Sequence, residues 1–166
     1  MKTRLMAILV LALLPFHIAA AAAQEGWLRH VDPLTGGSAD VPLSLFGATP
    51  EPTEIGVVYS DPSGEVQLEI FGWTNPDRAS LASFARSIKR ELGDQKRFTY
   101  EKIGKTFFVQ SGYLRGTAEP TIFYDRTERS PRNDRLVTFR LQYPEARRGE
   151  VDPLIRAMGN RLRRPS

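Results

Sequence analysis

The chain has 166 residues, no cysteine, two histidines and a formal charge of +4. The missing cysteine excludes disulfide staples, thiolate catalysis and Cys-containing zinc sites, and a chain this short fills one domain. Residues 1–23 read as a removable leader; without them 143 residues remain, with 21 basic and 19 acidic side chains and a single imidazole, His30, too few for a two-His metal site.

The leader has the three parts of a secretory signal peptide: a basic start at Lys2 and Arg4, an apolar run over residues 5–16, and small residues from Ala19 to Ala23 ahead of Gln24. Pro15 and His17 interrupt the run well short of the roughly 20 apolar residues that a membrane span needs. The expected product is an exported protein, periplasmic or secreted and soluble, beginning at Gln24 and not integral to a membrane once cleaved. No cysteine follows the apolar run, which excludes lipoprotein-type attachment.

Residues 25–52 are rich in Gly, Pro, Asp and Thr and predict an extended segment with turns at Asp32-Pro33 and Gly36-Gly37 and room for one edge strand. Residues 55–60 and 65–73 predict a β-hairpin about the turn Asp61-Pro62-Ser63-Gly64. In its second strand Val66, Leu68 and Ile70 share one face. Gln67, Glu69, Phe71 and Trp73 share the other. Asn75-Pro76-Asp77 predicts the start of a helix, with Asn as N-cap and Pro at the first helical position. Leu81, Phe84, Ala85, Ile88 and Leu92 recur at helical spacing, and Gly93 is placed to stop it. Four strands follow over residues 98–103, 106–114, 121–127 and 136–143, the first two joined by Gly104-Lys105 and the last ended by Pro144. Val151, Leu154, Ile155, Met158 and Leu162 then predict a closing helix, with Asp152-Pro153 marking either its start or a first-turn proline. Adjacent strands without strict strand-helix alternation predict an α+β fold: one antiparallel sheet of about six or seven strands flanked by two helices, occupying residues 24–166 as a single domain.

The stretches Ser111-Gly112-Tyr113, Ile122-Phe123-Tyr124-Asp125 and Tyr143-Pro144-Glu145, leading into Asp152-Pro153-Leu154-Ile155 and Leu162-Arg163, resemble the PsbP-like superfamily, in particular its uncharacterised bacterial exported members. The resemblance runs from about Ile55 onward. It implies an antiparallel sheet between helices and a non-catalytic accessory or binding role, and the superfamily has no catalytic motif to transfer onto these residues.

The residues themselves offer little chemistry. A Ser-His-Asp arrangement would need His30, and Ser111-Gly112 lacks the Gly-x-Ser-x-Gly context of a nucleophile elbow. Beside Trp27 and Asp32, His30 reads as an incidental polar residue. Glu65 and Glu69 are available as paired carboxylates, although glycoside hydrolysis needs a defined separation and two solvated strand residues would look the same. The segment Asp61-Pro62-Ser63-Gly64-Glu65 lacks the alternating ligands of a calcium loop. Gly36-Gly37 and Gly104-Lys105 lack the strand-loop-helix context of a phosphate cradle. No catalytic residue, metal site or cofactor is expected.

Charge is distributed unevenly. Residues 126–166 hold 11 arginines, no lysine and five acids, whereas residues 24–125 hold 10 basic and 14 acidic side chains. Arginine favours bidentate contact with carboxylate or phosphate, so Arg126, Arg129, Arg132 and Arg135, or Arg161, Arg163 and Arg164, form candidate patches for an acidic partner. The competing reading is that these side chains pair internally with the acidic front of the domain. A candidate aromatic sheet face comprises Phe71, Trp73, Phe107 and Tyr124. The reading with most support is a non-enzymatic exported binding or accessory protein for an envelope protein or anionic surface. Alternatives are a carboxylate-dependent envelope-polymer hydrolase and an anionic-lipid surface binder. Nucleic acid is not an expected partner, because export removes the protein from it and the basic segments lack aromatic interleaving.

Overall fold

The central strands carry buried residues on both faces, and they build one wide sheet with a helix on each face. The structure, a computed structural model, describes residues 26–165; the leader at residues 1–23 lies outside them. The elements in order are β1 (Trp27–Val31), β2 (Ser38–Pro42), β3 (Glu51–Pro52), β4 (Gly56–Ser60), β5 (Gln67–Thr74), α1 (Leu81–Leu92), β6 (Lys96–Ile103), β7 (Phe107–Leu114), β8 (Thr121–Arg129), β9 (Arg135–Pro144), a 3-10 turn (Glu145–Arg147) and α2 (Arg148–Arg161). Seven strands form an antiparallel sheet in the order β3-β4-β5-β9-β8-β7-β6, and β1 and β2 pair separately. The expected α+β architecture is therefore present: β6 to β9 form a meander, and α1 crosses from β5 to the far edge at β6.

Cross-strand register assigns the faces. Leu68 pairs with Leu141 and Ile70 with Phe139, and Phe139 pairs in turn with Arg126, so these residues share one face. There Tyr59, Leu68, Ile70, Val137, Phe139, Leu141 and Tyr143 meet Val151, Ile155 and Met158 of α2 and Ala39 and Val41 of β2. This is the larger core. On the other face Leu81, Ala85, Phe84 and Ile88 of α1 pack on Phe108, Leu136 and Trp73. The smaller core occupies only part of that face.

Three expectations are corrected. The segment expected to be extended with at most one edge strand forms a hairpin, β1 and β2, laid on the α2 face of the sheet. Its turn is closed by Asp32, whose Oδ1 accepts from the Thr35 N–H at 2.8 Å and whose backbone N–H donates to Gly37 O at 2.8 Å. A Cβ on Gly72 of β5 would lie 2.2 Å from Asp32 Oδ1, so only glycine admits the turn this close. Second, α1 starts at Leu81, capped by Ser80, whose side chain accepts from the Ser83 N–H at 3.1 Å. Asn75 is not the cap. Its backbone N–H is held by Asp134 O at 2.7 Å and its side chain bonds Ala79 N, Ala79 O and Asn133 O, so it extends the β5 to β9 pairing while the chain climbs to the helix. Third, α2 begins at Arg148, and Pro153 lies inside it; a missing N–H close to the helix start removes one intrahelical bond without ending the helix.

The turn before β5 is stapled to the segment before α2. Asp61, with its side chain 3% exposed, pairs with Arg147 and accepts from Val66 N–H and Ser63 Oγ. Burial alone would raise its pKa, but Arg147 and those two donors outweigh burial and hold it at about 2. A depressed carboxylate stabilises the fold above its unfolded pKa near 4, and that contribution is lost as pH falls from there through the folded value. Urea melts from pH 7 to pH 2 are expected to show about 1–2 kcal/mol of stability disappearing in that acid window, and Arg147→Gln to flatten it. Identical pH profiles for the two proteins would remove the assignment.

Candidate functional site

Tyr124 and Arg126 of β8 point to the α2 face, and the outer flank of α2 passes beside them. Arg148, Asp152, Arg156 and Asn160 follow at four-residue spacing and share one side of that helix, next to its buried stripe of Val151, Ile155 and Met158. Between helix and sheet lies a cleft of about 540 Å³, lined by these residues together with Ser111, Ile122 and Tyr143. Three guanidiniums face it against one carboxylate.

Arg126, Arg148 and Tyr143 are held in place. Arg126 donates to Glu128 Oε1 at 2.8 Å and lies 4.6 Å from the centre of the Phe107 ring. Its buried Nε–H has no acceptor among the described residues. A Cβ at Gly159 would sit 3.3 Å from Arg126 Nη1, so glycine lets the helix close on the guanidinium. Arg148 donates to Tyr113 Oη at 3.2 Å and pairs with Glu145 at 3.3 Å, while Tyr113 donates to the same carboxylate at 2.7 Å. Arg156 makes no ion pair among the described residues and stands exposed at the rim. Tyr143 donates to Asp152 Oδ1 at 2.8 Å; burial first and then this carboxylate push its pKa up. Burial also raises Tyr124, partly offset by Arg126. Tyr143 therefore acts as a hydrogen-bond donor in the cleft wall. Asp152 is the cleft's one carboxylate and is already engaged, and no imidazole lines the cleft. The arrangement suits holding an anion.

The predicted patches divide. Of Arg126, Arg129, Arg132 and Arg135, only Arg126 reaches the cleft. Arg129 falls on the opposite face by strand alternation and donates to the carbonyls of Lys105, Ser130 and Pro131, bracing the β8–β9 loop. Arg132 and Arg135 are exposed at that loop. Arg161 pairs with Asp40 at 3.5 Å and covers the Trp27 ring at 4.6 Å. Arg163 forms a backbone bridge with Ser38, and Arg164 is exposed. The aromatic set also divides: Phe71 and Trp73 stack edge-on at 5.4 Å on the α1 face, whereas Phe107 and Tyr124 lie on the α2 face. The four do not form one surface, because the register between distant strands sets which parity points where.

Much of the arginine-rich tail turns back onto the acidic front of the chain. Arg140 pairs with Glu69 at 3.1 Å and with Asp125 at 3.0 Å, Arg147 with Asp61 and Glu65, and Arg161 with Asp40. Glu65 and Glu69 thus serve arginines. Asp125 also accepts from Lys96 Nζ at 3.0 Å. His30 is placed away from the cleft, its Nδ1 3.2 Å from Tyr59 Oη, and burial lowers its pKa. Arg148, Arg156 and Tyr143 were not among the predicted site residues. The spacing of Arg148, Asp152 and Arg156 beside the apolar stripe of α2 was the available signal.

Among the described residues, no group of three or more His, Asp and Glu side chains gathers to hold a metal ion, and no helix is long and apolar enough to cross a membrane. The sequence matches no family model and no curated protein. Its fold is PsbP-like: the chain is similar to the solution structure of cyanobacterial PsbP (CyanoP) from Synechocystis sp. PCC 6803, with a TM-score of 0.65 and 15% identity over 89% of this chain and 98% of that one.

Proposed function

We propose that the protein is a non-enzymatic exported binding or accessory domain that holds an acidic group of an envelope partner in the cleft between α2 and β8. The observation that carries this is the convergence of Arg126, Arg148 and Arg156 on one concavity with Tyr124 and Tyr143. The leader-like residues 1–23 and the PsbP-like fold support the exported accessory role. Arginine forks match carboxylate and phosphate geometry, and a partly enclosed cleft weakens solvent screening of the contact. The cleft's single, already engaged carboxylate leaves the hydrolase reading without a catalytic pair there.

Recovery of a partner from envelope extract tests the proposal. Wild type is compared with Arg148→Glu/Arg156→Glu in the cleft and Arg132→Glu/Arg135→Glu outside it. Recovery is expected to fall at least about tenfold for the cleft variant, the equivalent of one charged contact, and to decline with added salt. It should stay near wild type for the outside variant. Equal recovery by all three proteins would overturn the reading.

A further inference from the structure

The part of the sheet that α1 leaves open carries a second concave site, on the face opposite the arginine cleft. Beyond Leu92, where α1 ends, a cavity of about 510 Å³ is lined by Gln95, Lys96, Arg115, Arg140 and Gln142, with Asp94 the one carboxylate on its wall against three cations. That volume lies within the roughly 300–1,000 Å³ range of small-molecule sites. The two loops at its mouth are tied together, since the Arg115 N–H donates to Gln95 O at 2.7 Å.

Lys96 is the unusual member. Its side chain is 5% exposed yet contributes to the cavity wall. An ammonium carries three N–H donors. One meets Asp125 Oδ2 at 3.0 Å, and the Phe123 ring, 4.3 Å from Nζ to its centre, receives the charge on another side. No third acceptor is provided by the described residues. Arg140 stands beside it, with both its carboxylate partners on the sheet. Buried ion pairs are commonly no more stabilising than apolar side chains of similar volume, so packing alone does not call for two cations here. Arg115 adds an exposed third cation from the turn after β7.

We propose that this cavity binds a small oxyanion, a carboxylate or a phosphate, seated between Lys96 Nζ and Arg115, with Gln142 and Gln95 supplying neutral hydrogen bonds to the rest of the ligand. The site is separate from the α2 cleft and stands independently of the function assigned there.

Titration of 15N-labelled full-length mature protein with succinate and, separately, with inorganic phosphate at constant ionic strength tests it. At least one anion is expected to shift the amides of Gln95, Lys96, Arg115 and Gly116 saturably, and the stronger of the two identifies the preferred oxyanion. Arg115→Ala, an exposed change that leaves the Lys96 to Asp125 pair intact, should weaken binding about tenfold, the scale of one charge-assisted contact. Lys96→Met should abolish it. Arg148→Glu/Arg156→Glu should leave it unchanged, which separates this site from the cleft. The proposal is overturned if neither anion gives saturable shifts at these amides, if the shifts appear only around α2, or if Arg115→Ala binds as tightly as wild type.

Discussion

Asp125→Leu is expected to destabilise the fold by about 3–5 kcal/mol, the cost of leaving buried charge without its partner. Asp125 lies in β8 with its side chain 4% exposed and receives both Lys96 Nζ and Arg140 Nε at 3.0 Å. Removing the carboxylate leaves Arg140 with Glu69, but leaves Lys96, 5% exposed, with only the Phe123 ring. Burial already lowers the Lys96 pKa against the pull of Asp125, so the lysine has little capacity to stay charged alone. A loss of this size is a large part of the roughly 5–15 kcal/mol that holds a domain together. Lys96→Met/Asp125→Leu should recover most of it, because two apolar side chains can occupy the same space without desolvated charge. Urea unfolding of the single and double variants measures both. A single-variant loss under about 1 kcal/mol, or a double variant no better than the single, would show that these charges are not desolvated in the fold.

The second large effect is expected at Phe139. It sits in β9, the strand at the centre of the sheet, is fully buried and stacks on Tyr124 with ring centres 5.9 Å apart. Phe139→Ala should cost about 3–5 kcal/mol through lost burial and the cavity left behind, lowering the thermal midpoint by roughly 10–20 °C for a domain of this size. Phe139→Leu keeps most of the volume and should cost under about 1.5 kcal/mol. Tyr124 lines the arginine cleft, so the alanine variant should also loosen the cleft and weaken capture of the acidic partner more than the leucine variant does. Calorimetry with the recovery assay reads both effects. Equal melting of the alanine and leucine variants would contradict the packing argument.

Strands and helices were legible where local chemistry and tertiary packing agree. Val66, Leu68 and Ile70 alternate in sequence and are all fully buried on one face. Leu81, Ala85 and Ile88 form the stripe that packs on Phe108 and Leu136. Asn75 shows the opposite case. Its residue type suits a helix cap, and by local rules Pro76 reinforces that, but a backbone bond to Asp134, 59 positions away, decides its conformation. The small hairpin β1 and β2 was obscured for a related reason: five-residue strands in a Pro- and Gly-rich segment carry weak periodicity, and their apolar residues find their partners on the sheet and α2.

By itself the sequence determined the α+β class, the element order from the first long hairpin to the closing helix, the absence of thiol and two-His chemistry in the chain from Gln24 on, and the imbalance between an acidic front and an arginine-rich tail. All of these follow from composition and from periods of 2 and 3.6 residues, which are local properties. Only the tertiary structure decided what that imbalance does. Arg140, Arg147 and Arg161 neutralise acids far behind them in the chain, while Arg126, Arg148 and Arg156 are drawn to one cleft and Arg129 is turned to the other face. The physical reason is register: a shift of one residue between strands reverses every side chain, and that register is set by long-range pairing.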